Sequence, residues 1–221
     1  DRPDGPAFPH IALAVSGGHT ALYHVLAPGE VIQIANTRDD AVGEAFDKVS
    51  RMFGLGYPGG PIVEKLAREG DDTLYRFTRP RFKDGSLDFS FSGLKTAVLT
   101  VLTKHGDELP DDATRAHILA SFQRAAVDQL VHRTSEAAKR LGVADVVLAG
   151  GVACNSILRD RMREALKTDN IEMHVPRPRW CTDNAAMIGG VASAIASTRD
   201  VLSHQEEDRR LSVIASWRLD R

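Results

Sequence analysis

Two short apolar runs in this chain each end in a pair of glycines. Residues 11–15 lead into Ser16-Gly17-Gly18, and residues 146–149 lead into Gly150-Gly151. Because glycine has no Cβ, a glycine pair at the end of a strand lets backbone amides approach a charged ligand. The first turn returns into another strand, whereas the second is predicted to open a helix whose amino end points at the turn. Together the two turns predict a nucleotide held between them.

Composition limits the class of protein. A chain of 221 residues with 43% apolar content can bury one sizeable core. Its 28 basic and 30 acidic residues nearly balance, so nucleic acid binding by overall charge is not expected and any such contact must use a local patch. The 2 cysteines are too few for a disulfide framework. No apolar run approaches the roughly 20 residues of a membrane span, so we expect a cytoplasmic protein without membrane contact.

The order of the predicted elements indicates an α/β fold. Strands at residues 11–15, 21–26 and 31–35 are joined by tight turns, which favours an antiparallel meander. Near the end of the chain, strands at residues 143–149 and 171–175 alternate with helices, which favours parallel pairing. A meander with one glycine turn, followed by a strand, a glycine turn and a helix, is the order found in one lobe of the actin, sugar-kinase and heat-shock ATPase architecture. We therefore expect a mixed sheet flanked by helices.

The whole chain, residues 1–221, is predicted to form a single lobe. We assign residues 1–8 to a linker, about 54–110 to a mainly helical insertion and 199–221 to a C-terminal tail. The helix before the insertion is predicted to begin near residue 39, where Thr37 and Asp40 resemble a capping box.

Six short blocks carry a family resemblance. They are residues 15–20 (VSGGHT), 43–48 (GEAFDK), 57–61 (YPGGP), 88–96 (DFSFSGLKT), 149–152 (AGGV) with Asn155, and 181–184 (CTDN). In this order the blocks resemble the tRNA adenosine threonylcarbamoyltransferase family, in its C-terminal part and without its N-terminal lobe. The resemblance implies transfer of a threonylcarbamoyl group from threonylcarbamoyl-AMP to the exocyclic amine of the adenosine beside the tRNA anticodon.

The resemblance also implies which residues bind the substrate. The amides of the first turn would surround the phosphate or carbamoyl oxygens, Asp47 would accept hydrogen bonds from the ribose, and Gly60 would let the backbone close against that sugar. Asn155 would contact the ligand as well. The predicted substrate-binding residues are Ala14, Val15, Ser16, Gly17, Gly18, Asp47, Gly60 and Asn155.

Each of these residues has an ordinary structural explanation beside the functional one. The first glycine turn also suits a plain hairpin, and Asp47 also suits an ion pair with Arg51 on a solvated helix face. Gly60 also suits a helix stop, and Asn155 is a typical helix cap. From the residues alone both explanations stay open.

A metal site is implied, of which this chain supplies one ligand. Family members hold iron or zinc partly through a His-x-x-x-His helix in their other lobe, and none of the 8 histidines here forms such a pair. Only Asp183 matches a family ligand, and one carboxylate alone holds a transition metal poorly. The resemblance thus implies one divalent ion, iron in preference to zinc, completed by histidines outside the sequence. At a predicted helix start, Asp183 also suits a cap.

The implied partners are threonylcarbamoyl-AMP, tRNA and accessory proteins. Two segments are candidates for phosphate and stacking contacts, with a solvated surface as the alternative. They are Arg76, Arg79, Arg81 and Lys83, interleaved with Phe77 and Phe82, and Arg177 and Arg179 before Trp180. Because the anhydride is already activated, the reaction needs no side-chain nucleophile, and no catalytic residue is assigned. Two other functions stay open: a phosphotransferase of the same architecture acting on a small substrate, and a non-catalytic scaffold. Whether the chain acts without the other lobe also stays open.

Overall fold

The computed structural model describes residues 5–80, 82–106 and 108–198 and contains a five-stranded mixed sheet of order β3-β2-β1-β4-β5. Strands β1 (His10–Val15), β2 (Thr20–Ala27) and β3 (Glu30–Asn36) form the antiparallel meander. Strands β4 (Asp145–Ala149) and β5 (Glu172–His174) extend the sheet on the other side of β1, in parallel. The predicted mixed sheet is confirmed.

Six helices lie in the described part of the chain. They are α1 (Val42–Met52), α2 (Gly59–Ala67), α3 (Ser92–Thr103), α4 (Asp112–Leu141), α5 (Ser156–Lys167) and α6 (Ala185–Thr198). Short 3₁₀ turns at Gly151–Cys154 and Pro178–Trp180 precede α5 and α6. No helix among the described residues is both long and apolar enough to cross a membrane.

The core lies between the helices and one face of the sheet. Along β1, alternate side chains point into it, so that Ile11, Leu13 and Val15 are fully buried. Helix α4 packs its apolar stripe against the same core, and Phe122 of that stripe meets Phe46 of α1 edge to face at 5.0 Å. The ends of the sheet strands are thereby held rigidly beside α1 and α4.

The predicted start of α1 is wrong. The helix begins at Val42 rather than near residue 39, and its cap residue Ala41 offers no side-chain acceptor. Instead, the hydroxyl of Thr20 on β2 accepts a hydrogen bond from the Val42 amide at 2.8 Å. Thr37 donates its hydroxyl to the Asp40 carbonyl at 2.8 Å and forms no capping box. An acceptor from a neighbouring strand has replaced the local one.

The insertion is helical at both ends and irregular between them. Helices α2 and α3 lie within it, and the described residues between 68 and 91 contain neither helix nor strand apart from an isolated bridge of Phe89 to Thr37. Of the predicted linker, residues 1–4 lie outside the described residues, and so does the predicted tail at 199–221.

Candidate functional site

The two glycine turns meet at one edge of the sheet. Because β1 and β4 are parallel neighbours, with Ala14 paired to Ala149, both strands end on the same side. Gly150 has a φ of +92°, and a Cβ on it would lie 2.2 Å from the Val15 carbonyl oxygen. Only glycine fits this position. The structure therefore brings Ala14 and Val15, at the end of β1, into contact with the second turn.

The first turn is closed by its own hydrogen bonds. The Ser16 amide donates to the His19 carbonyl at 2.8 Å, and the Gly18 and His19 amides donate to the Ser16 hydroxyl at 3.3 and 3.1 Å. Within residues 16–19, the Gly17 amide alone has no hydrogen-bond acceptor in the described part of the chain. Open space lies beyond the Cα atoms of Gly17 and Gly18. A ligand would meet the Gly17 amide first, and it would reach the Gly18 amide only if the Ser16 side chain turned away.

Helix α1 connects the first turn to Asp47. The Gly43 amide donates to the Ser16 carbonyl at 3.2 Å, and a Cβ on Gly43 would lie 2.5 Å from that oxygen. Gly43 and Asp47 are four residues apart on one face of the helix, so Asp47 lies one turn beyond this contact. The predicted Asp47–Arg51 ion pair is wrong, because Asp47 Oδ1 instead accepts a hydrogen bond from the Gly59 amide at 2.7 Å.

The glycines at residues 59 and 60 have different surroundings. A Cβ on Gly59 would lie 2.6 Å from the Phe46 carbonyl oxygen, whereas nothing lies within 4 Å of the Cβ position of Gly60. Gly60 stands in the first turn of α2, so its alternative interpretation as a helix stop is wrong. Gly59 is thus a packing glycine, and Gly60 leaves space that a ligand could enter.

Glu64 connects α2 to the start of α5, and sequence reasoning missed it. Its Oε1 accepts hydrogen bonds from the Ser156 amide at 3.1 Å and from the Ser156 hydroxyl at 2.5 Å. Gly60 and Glu64 share one face of α2. A carboxylate at a helix amino terminus is favourable because it meets free amides and the positive end of the helix dipole. The two partners are 92 residues apart in sequence, so no local signal could have paired them.

Asn155 caps α5, as its alternative interpretation predicted. Its Oδ1 accepts a hydrogen bond from the Leu158 amide at 2.9 Å, and its Nδ2 donates to Gln123 Oε1 on α4 at 3.0 Å. The side chain is 7% exposed. Helix α5 begins at Ser156, and a 3₁₀ turn at Gly151–Cys154 separates it from the end of β4. The contact of Asn155 with a ligand stays a prediction.

Asp183 lies in the loop before α6 and does not cap that helix. Asn184 takes the capping position, since its Oδ1 accepts the Met187 amide at 3.0 Å, and the Asp183 side chain is exposed. Two residues earlier, buried Cys181 contacts Cys154 at the second glycine turn and lies 3.9 Å from Arg159 Nη2. Burial, together with the contact to Cys154, raises the pKa of the Cys181 thiol. The loop that carries Asp183 is therefore anchored beside the second turn.

A group of possible metal ligands lies elsewhere in the described residues. Ligand atoms of Asp145, Glu172 and His174 lie within 4.8 Å of one another. Asp145 and Glu172 begin β4 and β5, and His174 is the last residue of the short strand β5. Asp145 lies about 13 Å along β4 from its glycine end, at about 3.3 Å per residue. His174 Nε2 and Asp145 Oδ1 are hydrogen bonded at 2.6 Å. Asp183 is not part of this group, so the described residues give the predicted ion one carboxylate and do not form a complete metal site around it.

Three of the predicted substrate-binding residues, Val15, Ser16 and Asp47, take part in one ring of contacts between elements. Val15 touches Gly150, Ser16 bonds Gly43, Asp47 bonds Gly59 and Glu64 bonds Ser156, which follows the second turn in the chain. The ring is built by the ends of β1 and β4, by helices α1 and α2 and by the start of α5.

The sheet order and the paired glycine turns define a lobe of the actin, sugar-kinase and heat-shock ATPase architecture. Two solved structures of HypF have this fold. The crystal structure of T. kodakarensis HypF gives a TM-score of 0.63 at 16% sequence identity, and the match covers 83% of this chain and 34% of that one. The structure of full-length HypF in the phosphate- and nucleotide-bound form gives a TM-score of 0.60 at 14% sequence identity, and the match covers 88% of this chain and 40% of that one. At such identities the similarity shows the fold alone.

The chain belongs to the family described as TsaD, tRNA N6-adenosine threonylcarbamoyltransferase, whose model matches residues 1–190. A relative of that name from Syntrophus aciditrophicus is 45% identical over 215 residues, covering 97% of this chain and 61% of the relative. Another relative of that name, from Symbiobacterium thermophilum, is 53% identical over 183 residues, which cover 83% of this chain and 53% of the relative. The resemblance carried by the six blocks is thus confirmed. The chain spans between half and two thirds of the length of the curated relatives it matches.

Proposed function

We propose that this chain is the adenylate-holding lobe of an acyltransferase that moves a threonylcarbamoyl group from threonylcarbamoyl-AMP to tRNA. The acceptor is the exocyclic amine of the adenosine beside the anticodon, and the reaction takes place in the cytoplasm with accessory proteins. Family membership supports the proposal. The observation that carries it is the contact between Val15 and Gly150, which places the two glycine turns side by side at the carboxyl ends of β1 and β4.

The charges around the ring assign the two ends of the adenylate. Asp47 places a carboxylate at the amino terminus of α2, and Glu64 places one at the amino terminus of α5. These negative charges disfavour binding of a phosphate at either helix terminus. A neutral ribose diol suits Asp47, because the second carboxylate oxygen can accept a hydrogen bond while Oδ1 stays on the Gly59 amide. The phosphate and carbamoyl oxygens are then placed at the glycine turns, where the Gly17 amide is available.

Holding the adenylate is the main task of this lobe. The mixed anhydride is already activated, so the rate depends on positioning it against the adenosine amine and on stabilising charge on the departing AMP. Backbone N–H groups at the two turns can do both, since they are fixed by the sheet and need no reorganisation during the reaction.

We further propose that Asp183 supplies one ligand to a divalent ion, iron in preference to zinc. Its exposed carboxylate, with the helix cap taken by Asn184, supports this role, and the other ligands come from outside the 221 residues. When bound, such an ion supplies Lewis-acid stabilisation of oxygen charge. In the lobe-completed protein, Asp183→Ala is expected to lower the bound metal measured by mass spectrometry, and unchanged metal content would refute the assignment.

The transfer assay tests the proposed activity directly. The chain, joined to the further lobe that the family resemblance calls for, is incubated with threonylcarbamoyl-AMP, unmodified tRNA and accessory proteins from a relative, and the nucleosides are analysed by mass spectrometry. Threonylcarbamoyladenosine is the expected product. Its absence with several tRNAs would refute the proposal. Phosphate transfer from ATP to a small substrate would favour the phosphotransferase alternative, and adenylate binding without turnover would favour the scaffold.

A further inference from the structure

A groove of about 910 Å³ lies between the irregular segment of the insertion and the outer face of α4. On α4 it extends from Ser121 to Arg140, a distance of about 28 Å at 1.5 Å per residue. Basic side chains predominate on its walls, with five arginines against three carboxylates. We call it the arginine groove, and its charged members are Arg76, Arg79, Arg124, Arg133, Arg140, Asp72, Asp128 and Glu136.

Each carboxylate of the arginine groove is shared between two arginines. Asp72 and Asp128 both bind Arg161 of α5 at 2.6 Å, and Arg124 approaches them at 3.3 and 3.7 Å. Glu136 lies 3.3 Å from Arg133 and also bonds Arg140. The acidic groups are thus neutralised within the walls, and the surplus positive charge remains.

Arg76 and Arg79 supply that surplus. Both side chains are exposed, and neither forms an ion pair with the residues that the structure describes. Arg79 and His132 both line the groove, and burial, followed by the positive charge of Arg79, lowers the pKa of His132. A guanidinium group presents planar pairs of N–H donors that match the oxygens of a phosphate group. Because neither of these two guanidinium groups pairs with a carboxylate of the described residues, both can bind a phosphate.

The groove also has the length and the rings that a nucleic acid strand uses. At a rise of about 3.4 Å per nucleotide, its 28 Å would follow several phosphates of one strand. Phe82 lines it, with the Arg38 guanidinium 4.1 Å and the Arg133 guanidinium 5.5 Å from the ring centre. Arginines interleaved with aromatic rings are typical of surfaces that bind single-stranded or looped RNA.

One end of the groove lies near the ring of contacts that we propose holds the adenylate. Arg124 follows Gln123, whose side chain accepts the hydrogen bond from Asn155. Arg161, which joins Asp72 and Asp128, belongs to α5, the helix that starts at the second glycine turn. A strand bound along the groove would therefore lead toward the proposed reaction site.

We propose that the arginine groove binds the phosphate backbone of the tRNA substrate, with Arg76 and Arg79 as its main phosphate contacts. This inference rests on the proposed function for the identity of the RNA. It adds to that function the surface by which a chain of nearly balanced charge holds a polyanion.

The test compares two double variants of the 221-residue chain that remove equal charge. Arg76→Gln/Arg79→Gln changes the groove, and Arg163→Gln/Lys167→Gln changes an exposed face of α5 outside it. Binding of fluorescently labelled, unmodified tRNA is measured by anisotropy over a series of KCl concentrations. The groove variant is expected to bind tRNA about tenfold more weakly at 0.1 M salt. In a plot of the logarithm of the association constant against the logarithm of the salt concentration, the magnitude of its slope should be smaller by about 1.5. The α5 variant should stay within about twofold of the parent chain.

Calorimetry with AMP separates this inference from the proposed function. The groove variant should bind AMP with the affinity of the parent chain, because the residues of the proposed adenylate site are unchanged. Equal tRNA affinity and slope for both double variants would overturn the inference while leaving the transferase proposal standing. Failure of the parent chain to bind tRNA, with groove-dependent binding of poly-glutamate, would overturn it in favour of an acidic protein partner. Failure to bind AMP would count against the adenylate site instead.

Discussion

The Val15 carbonyl oxygen lies 2.2 Å from the point that a Cβ atom on Gly150 would occupy. This single contact joins the end of a strand in an antiparallel meander to the end of a strand in a parallel unit. No L side chain can stand there, both because of the oxygen and because of the φ of +92° at Gly150. The geometry of the proposed adenylate site depends on it.

Gly150→Ala is expected to lower both stability and adenylate affinity. A left-handed φ costs a non-glycine residue about 1–3 kcal/mol, and the clash with Val15 adds to it, so the free energy of unfolding should fall by about 2 kcal/mol or more. Urea denaturation and AMP calorimetry measure the two effects. Gly151→Ala is the matched control, because Gly151 has open space at its Cβ position. Equal stability of the two variants would contradict the close approach.

Replacing Asp47 separates its structural role from its proposed binding role. Asp47→Asn keeps an oxygen for the Gly59 amide, so the free energy of unfolding should change by less than about 1 kcal/mol. A hydrogen bond to a charged group contributes about 1.5–3 kcal/mol, so its AMP affinity should fall at least about tenfold. Glu44→Gln, which removes only an ion pair to Lys48, serves as the control in calorimetry. An unchanged AMP affinity of Asp47→Asn would rule out the ribose contact.

Local sequence signals predicted the parts of this site that local physics decides. A continuous apolar run placed β1, and a glycine pair after each of two strands marked the turns, because glycine is required where the chain turns against another backbone. The alternation of strands and helices predicted the parallel pairing of β4 with β5. The pairing of β1 with β4, which brings the two turns together, joins residues more than 130 positions apart and was not predicted. Asn155 was recognisable as a cap because its acceptor and the amide it serves are three residues apart.

The signals failed where a distant residue took over a local role. Thr37 and Asp40 match a capping box, but Thr20 of β2 reaches the Val42 amide instead. Asp47 has an arginine at the spacing of a helical ion pair, yet the amino terminus of α2 offers it an amide. Sequence spacing measures neither the distance nor the direction of such tertiary partners, so Glu64 with Ser156 was equally out of reach.

Asn155 is expected to contribute more to the free energy of unfolding than a residue that only caps a helix. Asn155→Ala removes the cap, at about 0.5–2 kcal/mol, and leaves the buried Gln123 amide without this partner, at about 1–3 kcal/mol. Asn155→Ser keeps an acceptor for the Leu158 amide and should lose less. Urea denaturation of both variants, alone and with Gln123→Ala, gives the coupling energy between the two side chains. A cost for Asn155→Ala no greater than that for Asn155→Ser would show that capping contributes little.

Asp39 is expected to make stability depend on acid. Its carboxylate accepts hydrogen bonds from the Phe91 and Ser92 amides at 2.7 and 3.2 Å and from the Ser90 and Ser92 hydroxyls at 2.5 and 2.7 Å. Burial acts to raise the pKa of Asp39, but these hydrogen bonds outweigh it and hold the pKa below its ordinary value. The bonds fix the segment that leads into α3.

The sign of the acid effect follows from that lowered pKa. A carboxyl group whose pKa is lower in the folded state gives its full stabilisation above the unfolded pKa, about 3.9, and loses it as the pH falls through the folded value. Asp39→Asn should therefore be less stable than the parent chain at pH 7, and the gap should narrow below about pH 4. Urea denaturation over a pH series measures it, with Asp160→Asn as the control for an exposed carboxylate. A gap that stayed constant with pH would show that the carboxylate charge of Asp39 contributes nothing to folding.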